Sequence, residues 1–176
     1  MRFYESLDLA PRLSLDLDDL KKRFYERSRV WHPDRFSRAT SEEQKKALDM
    51  TAVLNDAFRA LRDPVSRAEY FLHESGLDPS KNPPAELLEE VFELNMALEE
   101  LRGGDDSARP QLEEARERFL NMREEIDLGV DSLFARFDQT QDRAALIEIR
   151  GALDRRRYIS NLLRDVEREL SVHVPN

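Results

Sequence analysis

The residues best equipped for chemistry in this chain of 176 residues are a histidine and an aspartate on either side of a proline, His32-Pro33-Asp34. A histidine can donate and accept hydrogen bonds, while an ionised aspartate only accepts and can take an arginine in bidentate fashion. The proline fixes its own backbone and keeps the preceding residue out of helical geometry, so both polar side chains project from a loop. Nothing else in the sequence competes with this tripeptide. His73 and His173 lie in separate segments, cysteine is absent, and no His or Cys pair has metal-ligand spacing. Gly103-Gly104 is followed by no lysine, which leaves no phosphate-cradling loop. The carboxylates are abundant but helical and mostly surface-directed, and they single out no acid–base pair. No catalytic residue, metal or cofactor is therefore expected, and the tripeptide reads as an element of recognition.

Helices must position it. "SLDLDDLKKRFYERSRVW" predicts a helix from about residue 18, capped by Asp16 or Asp18, with Leu20, Phe24, Arg27 and Trp31 on one face and Lys22 and Arg29 opposite. Pro33 ends it. Ser41 with Gln44 has the form of a capping box opening a second helix, in which Ala47, Met50, Leu54, Ala57, Phe58 and Leu61 share a face up to Pro64. The two helices are expected to pack antiparallel and to bury Phe24, Trp31 and Phe58 between them. A shorter helical stretch, "SRAEYFLHES", follows.

The seam "ESGLDPSKNPPAE" marks a domain boundary, because Gly76 can end a helix in the left-handed conformation and three prolines then deny helical hydrogen bonds. The reading is residues 1–75, a linker at 76–84, and a second domain at 85–176. Beyond the seam three apolar stripes appear. The first comprises Leu87, Val91, Leu94, Leu98 and Leu101; the second runs from Leu112 to Phe137; the third runs from Ala145 to Leu170, with Arg156 interrupting it. Such stripes make a three-helix antiparallel bundle, so the fold class is all-α. "RGGDDSARP" joins the first two of these helices.

Charge narrows the partners. Lys and Arg balance Asp and Glu at 14 each over residues 1–75, whereas residues 76–176 hold 14 against 23, so the whole net charge of −9 sits in the second part. A binder of phosphate backbones would show clustered cations instead, and nucleic acid is not an expected partner. No apolar run approaches the roughly 18 residues a membrane span needs. The start carries no leader pattern, and a cytoplasmic location is expected.

A helix, a loop with His32-Pro33-Asp34 preceded by Trp31 and followed by Arg35, then a second helix, with "LNDAFRALRDPVSRAEYFL" downstream, together resemble the J-domain. The J-domain is the module by which co-chaperones stimulate ATP hydrolysis in DnaK-type chaperones. "HPDRF" and "RDPVSRAEYFL" are most similar to the HscB branch, which serves iron–sulfur cluster assembly and has a three-helix domain after its J-domain. The resemblance covers essentially the whole chain and is strongest over residues 17–75. It implies that His32, Pro33 and Asp34 contact a partner ATPase of the HscA or DnaK type. Arg35, Lys21, Lys22 and Arg29 would supply a positive surface beside them, within which Glu26 departs from the all-basic pattern common in J-domains.

In the second domain, Leu88, Phe92 and Met96 form a ridge spaced by four residues and flanked by Glu89, Glu93 and Glu99, apart from the core stripe. The resemblance implies that the iron–sulfur scaffold protein IscU binds here, through Leu88, Phe92, Glu93 and Met96, with Tyr158 of the last helix as a further contact. Internal packing of Leu88 and Phe92 is the competing reading. The function expected is that of a co-chaperone, itself no enzyme, which activates the partner ATPase and delivers IscU to it. Two alternatives are a J-protein serving another client of DnaK, and a helical scaffold or oligomerisation protein whose tripeptide is incidental.

Overall fold

The computed structural model describes residues 1–172, and among them no strand occurs. Seven helices follow in order: α1 (Arg2–Ser6), α2 (Leu17–Val30), α3 (Ser41–Arg62), α4 (Pro64–Glu74), α5 (Leu88–Arg102), α6 (Arg109–Thr140) and α7 (Arg143–Val172). None is long and apolar enough to cross a membrane. His173 lies outside the described residues.

Two units emerge, one of residues 1–78 with 134–146 and one of residues 79–133 with 147–176. The linear division at residues 76–84 assigns residues 134–146 to the second domain, whereas their packing groups them with the first unit.

In the first unit, Asp16 caps α2 by accepting from the amides of Asp18 and Asp19. The capping box at α3 is one residue earlier than the sequence suggests. Thr40 is the extended cap residue; its hydroxyl accepts from the Glu43 amide, and the Glu43 carboxylate takes the Thr40 amide at 2.9 Å. Gln44 instead turns its amide to the carbonyls of Ser37 and Ala39. Phe24 of α2 stacks on Phe58 of α3 with ring centroids 4.4 Å apart, which closes the hairpin. Trp31 does not join that seam. As the C-cap of α2 it sits half-buried and stacks on Phe36 at 5.9 Å.

An element that the periodicity is too short to reveal completes this core. Tyr4 of α1 is fully buried, donates its hydroxyl to the Arg12 carbonyl at 2.7 Å, and has its pKa pushed up by that burial. Arg27, on the apolar face of α2, reaches the Ser6 carbonyl at 3.0 Å. Arg67 of α4 is buried and donates to the carbonyls of Leu13 and Leu61, each at 2.7 Å. Residues from the far end of the sequence also enter. Phe137 meets Phe71 edge-on at 5.2 Å, and the Asp138 carboxylate accepts from the amides of Leu13 and Ser14 at 2.9 and 2.7 Å. Helix α4 stops at Gly76, whose φ of 73° lets Leu77 donate back to the Leu72 carbonyl and satisfy the helix end.

The second unit is built on the three stripes. Leu94, Leu98 and Leu101 of α5 meet Leu112 and Phe119 of α6 and Ile159, Leu163 and Val166 of α7 in one buried cluster. Arg156, which breaks the α7 stripe, turns outward and donates from Nη2 to Asp127 of α6 at 3.1 Å. The interruption in the sequence pattern is thus a cross-helix ion pair.

Candidate functional site

The tripeptide occupies a single 3-10 turn, Pro33–Phe36, between α2 and α3. His32 caps it in an extended conformation, φ −62° and ψ 128°, the geometry imposed on a residue before proline. Its Nδ1 accepts from the Asp34 amide at 3.3 Å, and its carbonyl takes the Arg35 amide at 3.0 Å. Nδ1 lies 3.6 Å from the Asp34 carboxylate, with side-chain exposures of 58% for His32 and 90% for Asp34. Both groups therefore face solvent, fixed by the turn and engaged in nothing else. The turn is held from below: Thr51 of α3 donates its hydroxyl to the Trp31 carbonyl at 3.0 Å, Trp31 stacks on Phe36, and the Lys46 ammonium sits 5.7 Å from the Trp31 ring centroid.

The surroundings are cationic. Lys21, Lys22, Arg29 and Arg35 are all exposed. Arg35 folds back to donate to the Arg29 carbonyl at 3.1 Å. Arg23, one turn earlier, is neutralised by Asp19 at 2.8 Å, but no carboxylate lies within ion-pair distance of those four cations among the described residues. In a chain whose net charge is −9, four unneutralised cations beside an exposed imidazole and carboxylate form a local field of opposite sign.

Sequence reasoning missed the recess between these groups. Tyr25, Ser28, Arg29, His32 and Arg35 line an open hollow of about 420 Å³. The signal was present in part: Tyr25, Ser28 and Arg29 follow steps of three and one, which put them on one side of α2, and His32 comes three residues later, just past the helix end.

The second candidate surface lies on α5. Leu88, Phe92 and Met96 are 53%, 66% and 50% exposed, so the competing reading, that Leu88 and Phe92 pack internally, is not what the structure has. A shallow groove beside them is lined by Glu93, Met96, Ala97, Glu100 and Gln111. Tyr158 differs from the ridge: it is half-buried and packs on the core of the second unit.

Comparison with known proteins covers both units. Residues 2–70 match the family model of the DnaJ domain, and residues 83–167 match that of the HSCB C-terminal oligomerisation domain. A co-chaperone protein HscB homolog of Vibrio vulnificus is 36% identical over 112 residues, 61% of this chain and 65% of the relative. A homolog of the same description from Neisseria meningitidis is 30% identical over 141 residues, 78% of this chain and 84% of the relative. Among solved structures, the chaperone HscB from Vibrio cholerae has a TM-score of 0.64 at 24% identity and covers 99% of this chain and 100% of its own. The human co-chaperone protein HscB has a TM-score of 0.66 at 23% identity and covers 95% and 81%. At those identities the two structures establish the shared fold.

Proposed function

Because the chain belongs to the HscB family of J-domain co-chaperones, we propose that it activates the ATPase of an HscA- or DnaK-type chaperone through His32-Pro33-Asp34 and delivers the iron–sulfur scaffold IscU to it. The observation that carries this reading is the exposed His32 and Asp34 on a proline-fixed turn, whose side chains contact each other within the turn and, among the described residues, no other element. A side chain locked by its own fold could not meet a second protein without first breaking contacts. Here the Asp34 carboxylate is free to accept a bidentate arginine, and the His32 Nε2 edge is free to bond a partner group.

The roles divide by physics. Lys21, Lys22, Arg29 and Arg35 steer an acidic face of the ATPase and set its association rate more than its residence time. The tripeptide, held by the Trp31–Phe36 stack, biases the partner toward its hydrolysing state by contacts made only there. Leu88, Phe92 and Met96, with Glu93, take the client through apolar burial with an acidic rim, and Tyr158 adds a contact from α7. The docking unit lies within residues 1–75 and the client unit within 85–176, joined by the linker at 76–84, and the protein works in the cytoplasm as an activator of another protein's hydrolysis.

Single-turnover ATP hydrolysis by the partner chaperone, with and without this protein, is the test. Stimulation is expected, with synergy on adding IscU, and His32→Gln is expected to abolish it while leaving the thermal midpoint unchanged. Retained stimulation by His32→Gln refutes the role of the tripeptide. Stimulation without IscU synergy makes the protein a J-protein of another client, and no stimulation at all leaves a helical scaffold or oligomerisation protein.

A further inference from the structure

We propose that Met96 is a redox-modification site: hydrogen peroxide converts its thioether to the sulfoxide, which weakens the α5 ridge for an apolar client, and reduction restores it. This rests on the client-binding reading of that ridge above and goes beyond it by making the surface responsive to an oxidant.

Three observations carry it. The chain has no cysteine, so its two-electron reactivity toward peroxide falls on the sulfurs of its four methionines. Of these Met96 is the exposed one, at 50%, whereas Met1 and Met50 are half-buried and Met122 packs against the core of the second unit. Its position is on the client face: it follows the exposed Leu88 and Phe92 at four-residue spacing, so all three share one side of α5. The groove beside it is lined by Glu93, Ala97, Glu100 and Gln111. The two carboxylates admit a neutral peroxide and repel an anionic oxidant. They also only accept hydrogen bonds, so neither satisfies a sulfoxide oxygen, itself an acceptor. Gln111 of α6 is the donor among these lining side chains, and it serves that oxygen by drawing Met96 toward the groove and off the ridge.

The step is an oxygen-atom transfer. A lone pair of the Met96 Sδ attacks the peroxide, the S–O bond forms as the O–O bond breaks, and the departing hydroxide takes the proton left on the transferred oxygen. Sulfur gives up two electrons and the peroxide ends as water. Two thiols reverse the step, leaving as a disulfide while the oxygen departs as water. Oxidation puts a polar, chiral side chain where a flexible apolar one stood, and burying its oxygen under an apolar client without a donor is unfavourable.

To test this, the full protein is treated with hydrogen peroxide, freed of it, and titrated with reduced IscU by calorimetry, while peptide mass spectrometry locates the added oxygen. Met96 is expected to oxidise before Met50 and Met122, and the thermal midpoint to stay in place. The dissociation constant is expected to rise about ten-fold (~1.4 kcal/mol) and to return on treatment with methionine sulfoxide reductases and a dithiol. Met122→Leu is expected to keep this response, and Met96→Leu, compared with itself before and after peroxide, to show none. If Met96 stays unmodified while Met50 or Met122 is oxidised, or if Met96→Leu still responds, the assignment is overturned. If the sulfoxide forms and affinity holds, while Leu88→Ala with Phe92→Ala weakens binding, the redox role falls and the ridge reading stands. If that double variant binds IscU like the unaltered protein, the ridge reading and this inference fall together.

Discussion

Phe137→Ala should destabilise the first unit, whose helices α1 to α4 end more than sixty residues before it in sequence. Phe137 lies near the C-terminal end of α6, is 3% exposed, and meets Phe71 of α4 edge-on at 5.2 Å with the rings 75° apart. Removing a buried phenylalanine side chain costs about 3–5 kcal/mol through lost burial and the cavity left behind, a large part of the ~5–15 kcal/mol by which a domain is stable. Of this, about 0.5–1.5 kcal/mol belongs to the ring pair itself, which a double-mutant cycle with Phe71→Leu isolates. The chain supplies its own probe. Its one tryptophan, Trp31, stacks on Phe36 in the first unit, so its fluorescence reports the unfolding of that unit. In urea, the Trp31 transition of Phe137→Ala is expected at markedly lower denaturant, with the slope unchanged. An unshifted Trp31 midpoint would refute the assignment of residues 134–146 to the first unit's core.

Other consequences follow from single contacts. Thr40→Ala removes the hydroxyl half of the capping box of α3 and should cost about 0.5–2 kcal/mol in chemical denaturation. The Thr40 amide, and then its hydroxyl, holds the Glu43 carboxyl below its usual pKa; the stability this linkage adds is present above pH ~4.5 and is lost as pH falls through the lowered value, a loss that Thr40→Ala, which keeps the amide, should reduce only in part and that Glu43→Gln should abolish. The Asp78 carboxylate, 2.7 Å from Nδ1 of His73, raises the histidine above its ordinary 6.5, so its contribution is full below that pH and disappears as pH rises past the raised value; NMR titration of Asp78→Asn should return His73 toward 6.5. Arg67→Met leaves the carbonyls of Leu13 and Leu61 without their donor inside the core and should lose about 2–5 kcal/mol, read in the same Trp31 melt. Leu88→Ala with Phe92→Ala should shift stability by less than about 1 kcal/mol, since both side chains are exposed, while weakening IscU binding measured by calorimetry; a large melting shift would return them to the core.

Much of this was legible because it is local. Helix periodicity, the proline that breaks α2, the left-handed glycine after α4, and the four-residue spacing of Leu88, Phe92 and Met96 each depend on neighbours within a turn or two. The sequence therefore located α2, α3, the three later helices, the tripeptide, and an apolar ridge separate from the core stripe. The capping box slipped by one residue because Thr40 and Ser41 are chemically interchangeable caps, and only the extended backbone at Thr40 chooses between them. Trp31 was expected in the hairpin seam because periodicity continues a face past the point where a helix stops.

What the tertiary structure alone decided is everything that joins distant segments. Helix α1 is five residues long, too short for a period to show, and it is held by Tyr4 in the core and by Arg27 from another helix. The stripes of α6 and α7 look uniform in sequence, yet residues 134–146 pack with Phe71, Leu13 and Ser14, because a stripe specifies that a face is buried and not which partner buries it. The recess beside His32 likewise comes from Arg35 folding back onto the end of α2, a meeting across a turn that no repeat in the sequence encodes.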